Sequence, residues 1–416
     1  MGTAHLIHCH ACGLVQRLPP VPARGRADCA RCGSPLHQDR PGNLDPSLAL
    51  TLAGLVLFIV ANTFPCLSMR MQGQATETTL FTGVAQLYAQ GQWPLAAVVG
   101  FTSILAPGLQ LLLLLAVLVP LRLGLVPWVL AGLFRHIRSL APWGMMDVFL
   151  LGILVAVVKM AEMATMVPGK ALFAFVILIF VIAAAQAALD PSLVWSRIPV
   201  TVPTPRPGEL VLACAVCDLL VPAGAAATGT RRPGRPTCPR CGARLHGRKP
   251  RSLQRTWALV LAACLLYVPA NLYPIMAVTS LGQTQADTIL SGVLYLLNHG
   301  MWPLAAVVFI ASILVPLLKL AILIFLLVSV QVRSRWRRPD RTRLYRITEA
   351  VGRWSMVDIY VVTILVALVH LGNLANIEAQ VGAVYFAAVV VITLFAAMSF
   401  DPRLIWDAAG PAHVGD

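Results

Sequence analysis

Eight stretches of the chain carry long, almost uncharged apolar runs: 47–65, 94–118, 145–166, 171–189, 254–274, 303–330, 355–376 and 383–400. A helix of roughly twenty such residues crosses the ~30 Å hydrocarbon core with every backbone N–H and C=O satisfied inside the segment. The pattern predicts an all-α polytopic membrane protein. After the first and the fifth run the period changes. Leu80, Phe81, Val84, Leu87 and Tyr88 fall at i, i+1, i+4, i+7 and i+8, and Ile289, Leu290, Val293, Leu296 and Leu297 repeat that phase. Each set predicts an amphipathic helix lying on the outer surface. Gly91 and Gly300 suit its end, Trp93 and Trp302 an interface position, and Pro94 and Pro303 the first turn of the next span. Asp190-Pro191 and Asp401-Pro402 suit the N-cap and first position of short helices anchored by Trp195 and Trp406.

Repeats organise these runs. "GQWPLAAVVGFTSILAPGLQL" (91–111) returns as "GMWPLAAVVFIASILVPLLKL" (300–320), and "PWGMMDVFLLGILVAVV" (142–158) as "RWSMVDIYVVTILVALV" (353–369). "ANTFP" (61–65) matches "ANLYP" (270–274), and "LDPSLVW" (189–195) matches "FDPRLIW" (400–406). Each half thus has four spans, and an even number points both halves the same way. The expected relation is a pair of parallel repeats about a pseudo-twofold along the membrane normal. A four-span module with its main outer loop after the first span is similar to the tetraspanin or claudin arrangement, a likeness of fold only.

Composition supports a membrane protein, with 58% hydrophobic and 12% charged residues. The net charge of +15 matters through its placement. Of 32 Lys and Arg, five precede residue 47, three lie in 119–144, eleven in 190–256, eight in 329–354 and one after 400. Only Arg70 and Lys170 fall in loops of the opposite side, while Lys159 and Lys319 fall inside spans. The positive-inside rule then places both termini and both arginine-rich loops in the cytoplasm, and residues 70–92 and 279–301 outside. The charge is explained by topology and anionic lipid rather than nucleic acid. The N-terminal "MGTAHLIHCHACG" lacks the apolar length of a cleavable signal, so insertion is expected to use the first span.

Eight of the ten cysteines form four C-x-x-C pairs: Cys9/Cys12, Cys29/Cys32, Cys214/Cys217 and Cys238/Cys241. "CARCGSPLH" (29–37) is nearly rewritten as "CPRCGARLH" (238–246). The spacing between pairs fits two zinc ribbons, each offering four thiolates to a tetrahedral Zn2+. A reducing cytoplasm argues against disulfides, and the repeated spacing argues against redox pairs. Gly13, Gly33 and Gly242 follow second cysteines, where a knuckle turn needs a permissive backbone, and Asp218 holds that place once. Four protein ligands leave no open position, so the two zinc ions are expected to be structural. His8, His10, His37 and His246 are expected beside the sites rather than as ligands, and Cys66 and Cys264 as core fillers. The expected divisions are a first ribbon over 1–46, a four-span module over 47–195, a linker and second ribbon over 196–252, a second module over 253–407 and a tail over 408–416.

Ionisable groups within spans are costly and become candidates for a lipid or proton pathway. Lys159 and Glu162 stand at i, i+3 on one helix, where the second half has His370 and Asn373. Ser312, Thr393 and Lys319 add polar groups to the second half, Lys319 standing where the first half has Gln110. Asp147 and Asp358 open their helices after W-x-M, suited to a dipole cap as well as to a headgroup. An ion pair or cross-helix hydroxyl serving only packing is the competing explanation for these groups.

The order of ribbon, four spans, ribbon, four spans, with "N-x-x-P" and "G-x-W-P-L" in each half, resembles the paraquat-inducible protein A family across nearly the whole chain. The resemblance implies an inner-membrane subunit of diderm bacteria that works with a periplasmic MCE-domain protein and passes phospholipid between membranes. Two alternatives stay open from the residues: a proton-coupled small-molecule exporter using Lys159, Glu162 and His370, and a membrane-anchored sensor or scaffold whose ribbons bind a cytoplasmic partner. No Walker A, H-E-x-x-H or nucleophile pattern occurs, so an enzyme is not expected.

Overall fold

The computed structural model of the chain describes residues 6–19, 21–22, 25–38, 44–71, 74–126, 129–160, 165–198, 200–203, 211–224, 236–280, 283–369 and 375–407. Two small antiparallel hairpins come first, β1 (Leu6–His8) with β2 (Val15–Arg17) and β3 (Arg26–Asp28) with β4 (Pro35–Gln38). The first span α1 (Asp45–Thr63) leads into a hairpin of β5 (Leu67–Met71) and β6 (Gln74–Thr78). The outer helix α2 (Leu80–Ala89) follows, and then α3 (Trp93–Gly100) runs through a π turn at Phe101–Leu105 into α4 (Ala106–Arg122). Next come α5 (Leu130–Leu140), α6 (Met146–Met160), strand β7 (Thr165–Pro168), α7 (Lys170–Ala188) and the short α8 (Pro191–Ser196).

The second half repeats this order. β8 (Val211–Ala213) pairs with β9 (Leu220–Pro222), and a bridge joins Thr237 to Arg244. Then come α9 (Ser252–Leu272), β10 (Met276–Ser280), β11 (Gln283–Asp287), α10 (Ile289–Asn298) and α11 (Trp302–Phe309), which passes a π turn at Ile310–Leu314 into α12 (Val315–Gln331). The chain closes with α13 (Arg338–Val351), α14 (Val357–Leu368), β12 (Ala375–Ala379), α15 (Val381–Ser399) and α16 (Leu404–Asp407). Eight segments of the described chain are helical, long and apolar enough to cross a membrane.

The expected outer helices are present. Thr79 and Thr82, and Thr288 and Ser291, form reciprocal capping boxes at their starts, and Gly91 and Gly300 end them at φ +76°. The π turns have a local cause: Pro107 and Pro316 lack the N–H that an α-turn would require, so the ladder widens just ahead of them.

Three expectations need correction. The chain is not purely helical, because β5 and β10 each centre a three-stranded antiparallel sheet, in the orders β6-β5-β7 and β11-β10-β12. Apolar runs 145–166 and 355–376 are not helical throughout: α6 ends at Met160 and α14 at Leu368, and the chain returns as β7 and β12, whose backbone groups β5 and β10 satisfy. The arginine-rich segments are not plain loops, since α5 and α13 lie within them; Leu130, Phe134 and Ile137 bury one face of α5 at i, i+4 and i+7. A smaller difference concerns Asp401-Pro402. The Asp190 carboxylate caps α8 as expected, accepting from Ser192 N at 2.9 Å, but α16 starts only at Leu404, and Asp401 caps a turn before it.

The "N-x-x-P" motif explains how sheet and helices join. Asn62 and Asn271 donate side-chain hydrogen bonds to Phe58 and Tyr267 carbonyls at 2.8 Å, finishing α1 and α9. Pro65 and Pro274 then press against Gly169 and Gly382, where an added Cβ would lie 2.1 and 2.4 Å from the proline oxygens. Only glycine permits that approach.

α14 is the axis of the molecule. The segment Arg338–Leu368 is 72% buried over its apolar window, against 22% for Asp45–Thr63 and for Ser252–Leu272. It packs on α6 and on α2 of the first half through glycines: a Cβ on Gly152 would lie 2.8 Å from Tyr360 Cβ, and one on Gly83 would lie 2.9 Å from Thr363 Cγ2. The buried Tyr360 hydroxyl donates to Thr102 Oγ1 at 2.8 Å. On the outer side Gln90 donates to Ile377 O and accepts from Ala379 N, both at 3.1 Å, and Gln92 donates to Ala379 O at 3.1 Å. The first-half outer helix thus covers the edge of β12.

The four-cysteine ribbons dock crosswise. Cys214, Cys217, Cys238 and Cys241 belong to the same buried cluster as Leu118, Phe134 and Trp195 of the first half. Cys9, Cys12 and Cys29 are buried with Leu327, Tyr345 and Trp406 of the second half. Arg31 stacks 4.7 Å over Trp406, and Arg138 donates to the Val216 carbonyl. Each ribbon therefore precedes one module in the chain and rests on the other.

Close packing at Gly152 yields a direct test. Gly152→Val is expected to overpack the α6–α14 contact and cost about 1–3 kcal/mol, read as a lower midpoint of thermal unfolding in detergent. Tyr360→Phe, which loses one cross-helix hydrogen bond, is expected to cost about 0.6 kcal/mol. Equal midpoints for wild type and Gly152→Val would show that the halves do not meet this way.

Candidate functional site

The eight knuckle cysteines form two separate clusters. Sulfur atoms within each lie within 4.8 Å of one another, with Cys9–Cys32 at 3.5 Å, Cys12–Cys29 at 3.6 Å, Cys214–Cys241 at 3.4 Å and Cys217–Cys238 at 3.5 Å. None is in a disulfide. Four thiolates around one tetrahedral Zn2+ at about 2.3 Å would stand about 3.8 Å apart, so each cluster has the size and donor set to hold such an ion. The four turns are built alike: Gly13, Gly33, Asp218 and Gly242 donate their N–H to the first cysteine's carbonyl at 2.8–3.1 Å. All four have positive φ, +79°, +66°, +59° and +68°.

Asp218 holds this left-handed position against its Cβ, and its side chain has another role. Its carboxylate meets His10 Nε2 at 2.5 Å, joining the two ribbons, and faces Arg138 at 3.8 Å. His10 is thus bonded to the other ribbon and does not ligate its own cluster. The sequence showed Asp218 as a gap in the glycine pattern, and only the fold shows what it contacts.

The intramembrane candidates separate. Glu162 and His370 lie outside the described residues, as does the side chain of Lys159, whose backbone is in α6. Ser312 and Asp358 come together on the wall of a cleft in the second half, closed on one side by Val155 of the first half, with about 590 Å³ of space that is partly open to the surroundings. Asp287 and Thr288 mark its outer end, Asp358 at the start of α14 its inner end, and Val155, Val308, Val362 and Leu365 its sides. The eight residues from Asp358 to Leu365 alone span about 10 Å of helix. Ser312 sits in the π turn, donating to Val308 O at 2.6 Å, which leaves its oxygen free to accept. Thr393 is buried elsewhere and donates to Val390 O at 3.0 Å. Lys319 is 3% exposed and packs against Gly352, and its ammonium has no hydrogen-bond partner among the described residues. Asp147 does not join the cleft and lines a second cavity in the first half.

A further polar cluster, missed in the sequence, fixes the second ribbon to the end of α15. Asp401, 1% exposed, accepts from the Lys249 amide at 2.9 Å and from the Arg403 guanidinium at 2.8 and 2.9 Å. Burial alone would raise its carboxyl, but the Arg403 hydrogen bonds and charge and the Lys249 amide hold it below its ordinary value of 3.8.

Eight apolar helices, two four-thiol clusters and an apolar cleft beside α14 define a multi-pass membrane protein with two metal-competent ribbons. The family model for paraquat-inducible protein A matches it twice, over residues 44–199 and 253–410, and the chain belongs to that family. The intermembrane transport protein PqiA of Escherichia coli is 33% identical over 96% of this chain and 95% of its own. The lipophilic envelope-spanning tunnel protein A of Escherichia coli is 31% identical over 98% and 93%, and a probable intermembrane transport protein of Haemophilus influenzae is 26% identical over 96% and 95%. No solved structure matches the chain.

The Asp401 cluster predicts a pH dependence with a definite sign. Its folded value lies below 3.8, so its contribution is complete above the unfolded value and is lost as pH falls through the folded one. Asp401→Asn is expected to cost about 1–3 kcal/mol at pH 7 and to flatten the decline of the unfolding midpoint under acid. Wild-type and Asp401→Asn profiles that run parallel from pH 6 to pH 3 would contradict this.

Proposed function

We propose that the chain is the inner-membrane subunit of an MCE-type lipid transport system, passing phospholipid between the inner membrane and a periplasmic tunnel protein. The single observation that carries this reading is the apolar cleft of the second half beside α14. Its long sides are apolar, as acyl chains require, and carboxylates and hydroxyls stand only at its ends and at Ser312. The relatives named as intermembrane transport and envelope-spanning tunnel proteins support it. In this reading residues 47–195 and 253–407 are parallel four-span repeats of tetraspanin- or claudin-like arrangement. Each follows a cytoplasmic ribbon holding one structural Zn2+, over 1–46 and 196–252, and both termini are cytoplasmic. The placement of 28 of 32 Lys and Arg supports that orientation. The outer three-stranded sheets and the α2–β12 junction then face the partner.

Three measurements test the parts separately. Elemental analysis is expected to give two zinc ions per chain, and Cys29→Ser or Cys238→Ser to lower folded yield rather than transport rate, since the metal supplies folding free energy. A count of one metal or none would refute the ribbons. Cysteines introduced at position 75 are expected to react with a periplasmic reagent, while those at 338 do not, and the reverse would overturn the topology. Val308→Trp with Val362→Trp should fill the cleft, leaving the protein level near normal and abolishing lipid exchange with a purified periplasmic MCE partner. Undiminished exchange would remove the cleft from the lipid route.

A further inference from the structure

A second cavity, with about 610 Å³ of space partly open to the surroundings, lies in the first half at the end of the helices opposite the outer sheets. Met146 of α6 and Ile179 and Ile182 of α7 form its apolar back. Its mouth is polar. Gln110 comes from α4, Asp147 from the start of α6, and Arg353 reaches in from the second half, where the first half has Pro142. Both Arg353 and Asp147 line this cavity, and neither is in any of the ion pairs formed among the described residues.

The matching place in the second half is filled. Gln110 is replaced by Lys319, Gly144 by Ser355 and Ile182 by Thr393, and these three are 3%, 1% and 2% exposed. Gly144 helps keep the first-half cavity open, because a Cβ there would lie 3.3 Å from Gln110 Oε1. The repeat therefore holds a polar-mouthed, apolar-backed cavity in one half and a closed polar core in the other.

We propose that this cavity binds the headgroup of a zwitterionic aminophospholipid from the cytoplasmic leaflet, Arg353 pairing with the phosphate and Asp147 with the ammonium, while Ile179 and Ile182 flank the first acyl carbons. A phosphate binder alone would not need a carboxylate in its mouth, and Asp147 repels an anionic lipid that brings no ammonium. The arginine-rich side on which the mouth opens is the inner-leaflet side in the topology proposed above. The inference rests on the lipid-handling reading for its biological role, but the binding itself is measured without transport.

Delipidated full-length protein in detergent, titrated with dioleoyl phosphatidylethanolamine or dioleoyl phosphatidylglycerol and read by native mass spectrometry, tests it. The wild type is expected to bind one phosphatidylethanolamine roughly tenfold more tightly than phosphatidylglycerol. Asp147→Asn should bring the two lipids to parity. Arg353→Gln should weaken both, and Ile182→Trp, which fills the back without altering charge, should abolish occupancy. Exposed Arg343→Gln serves as the control and should change nothing. Equal wild-type affinity for the two lipids, or unchanged preference in Asp147→Asn, would overturn the proposal. So would full displacement of the lipid by water-soluble glycerophosphoethanolamine at equal concentration, because the ligand would then be a solute. Lipid exchange measured on the same variants keeps the two readings apart: selective binding without exchange defeats the transport reading alone, and exchange without selective binding defeats this site alone.

Discussion

The near-contact of α14 with α6 and α2 is the constraint on which the rest of the structure depends. Helices in lipid gain little from hiding apolar side chains from one another, so they associate where small residues let backbones approach. Gly152 under Tyr360 and Gly83 under Thr363 supply those places, and the Tyr360–Thr102 hydrogen bond fixes the register between them. Because α14 is held so closely on the first half, the cleft is left on its other side, against α10 and the π turn at Ile310–Leu314. The same contact brings Arg353, just ahead of α14, to the mouth of the first-half cavity. Both openings are consequences of one packed seam.

Crossed docking of the ribbons fixes that seam from outside the membrane. A ribbon of about forty residues rich in Pro and Arg buries too little to fold alone, which is why a metal-competent cluster stands at its centre. Here each cluster is also buried against the helices of the other half, and His10–Asp218 joins the two ribbons to each other. Separating the halves would therefore expose both clusters and break the Arg31–Trp406 and His10–Asp218 contacts together. The linkage makes the halves one body although the chain runs through them in series.

Much of this was legible in the sequence, and the parts that were not share a cause. Hydropathy located eight spans and the two outer helices, and cysteine spacing located both clusters, because each depends on residues close in sequence. The three-stranded sheets were hidden because β7 and β12 are short and continue an apolar run, so only their pairing with β5 and β10 marks them as strands. The amphipathic α5 and α13 were hidden by their arginines, which act as a topology signal and a docking surface at once. Which of the intramembrane polar groups meet was not legible at all. Ser312 and Asp358 are 46 positions apart and share a wall, whereas Asp147 and Asp358 occupy the same place in the repeat and face different cavities.

That last contrast carries the functional meaning of the duplication. Two copies of one module, packed face to face, would present equivalent cavities at equivalent depths, and a lipid would find the same environment in each. The copies differ instead at a few positions that decide whether space is open. Gln110, Gly144 and Ile182 leave room on one side of the membrane in the first half, while Lys319, Ser355 and Thr393 close the matching room in the second. At the other side both halves open, the second beside Val308 and Ser312 and the first, more narrowly, beside Thr79 and Gly83. The symmetry is therefore lost at the inner end, where one half keeps a polar-mouthed cavity and the other fills it. In the proposed lipid-handling role that asymmetry serves a headgroup taken up at one interface only, since carrying it along a continuous polar pore would bury charge in the hydrocarbon at high cost.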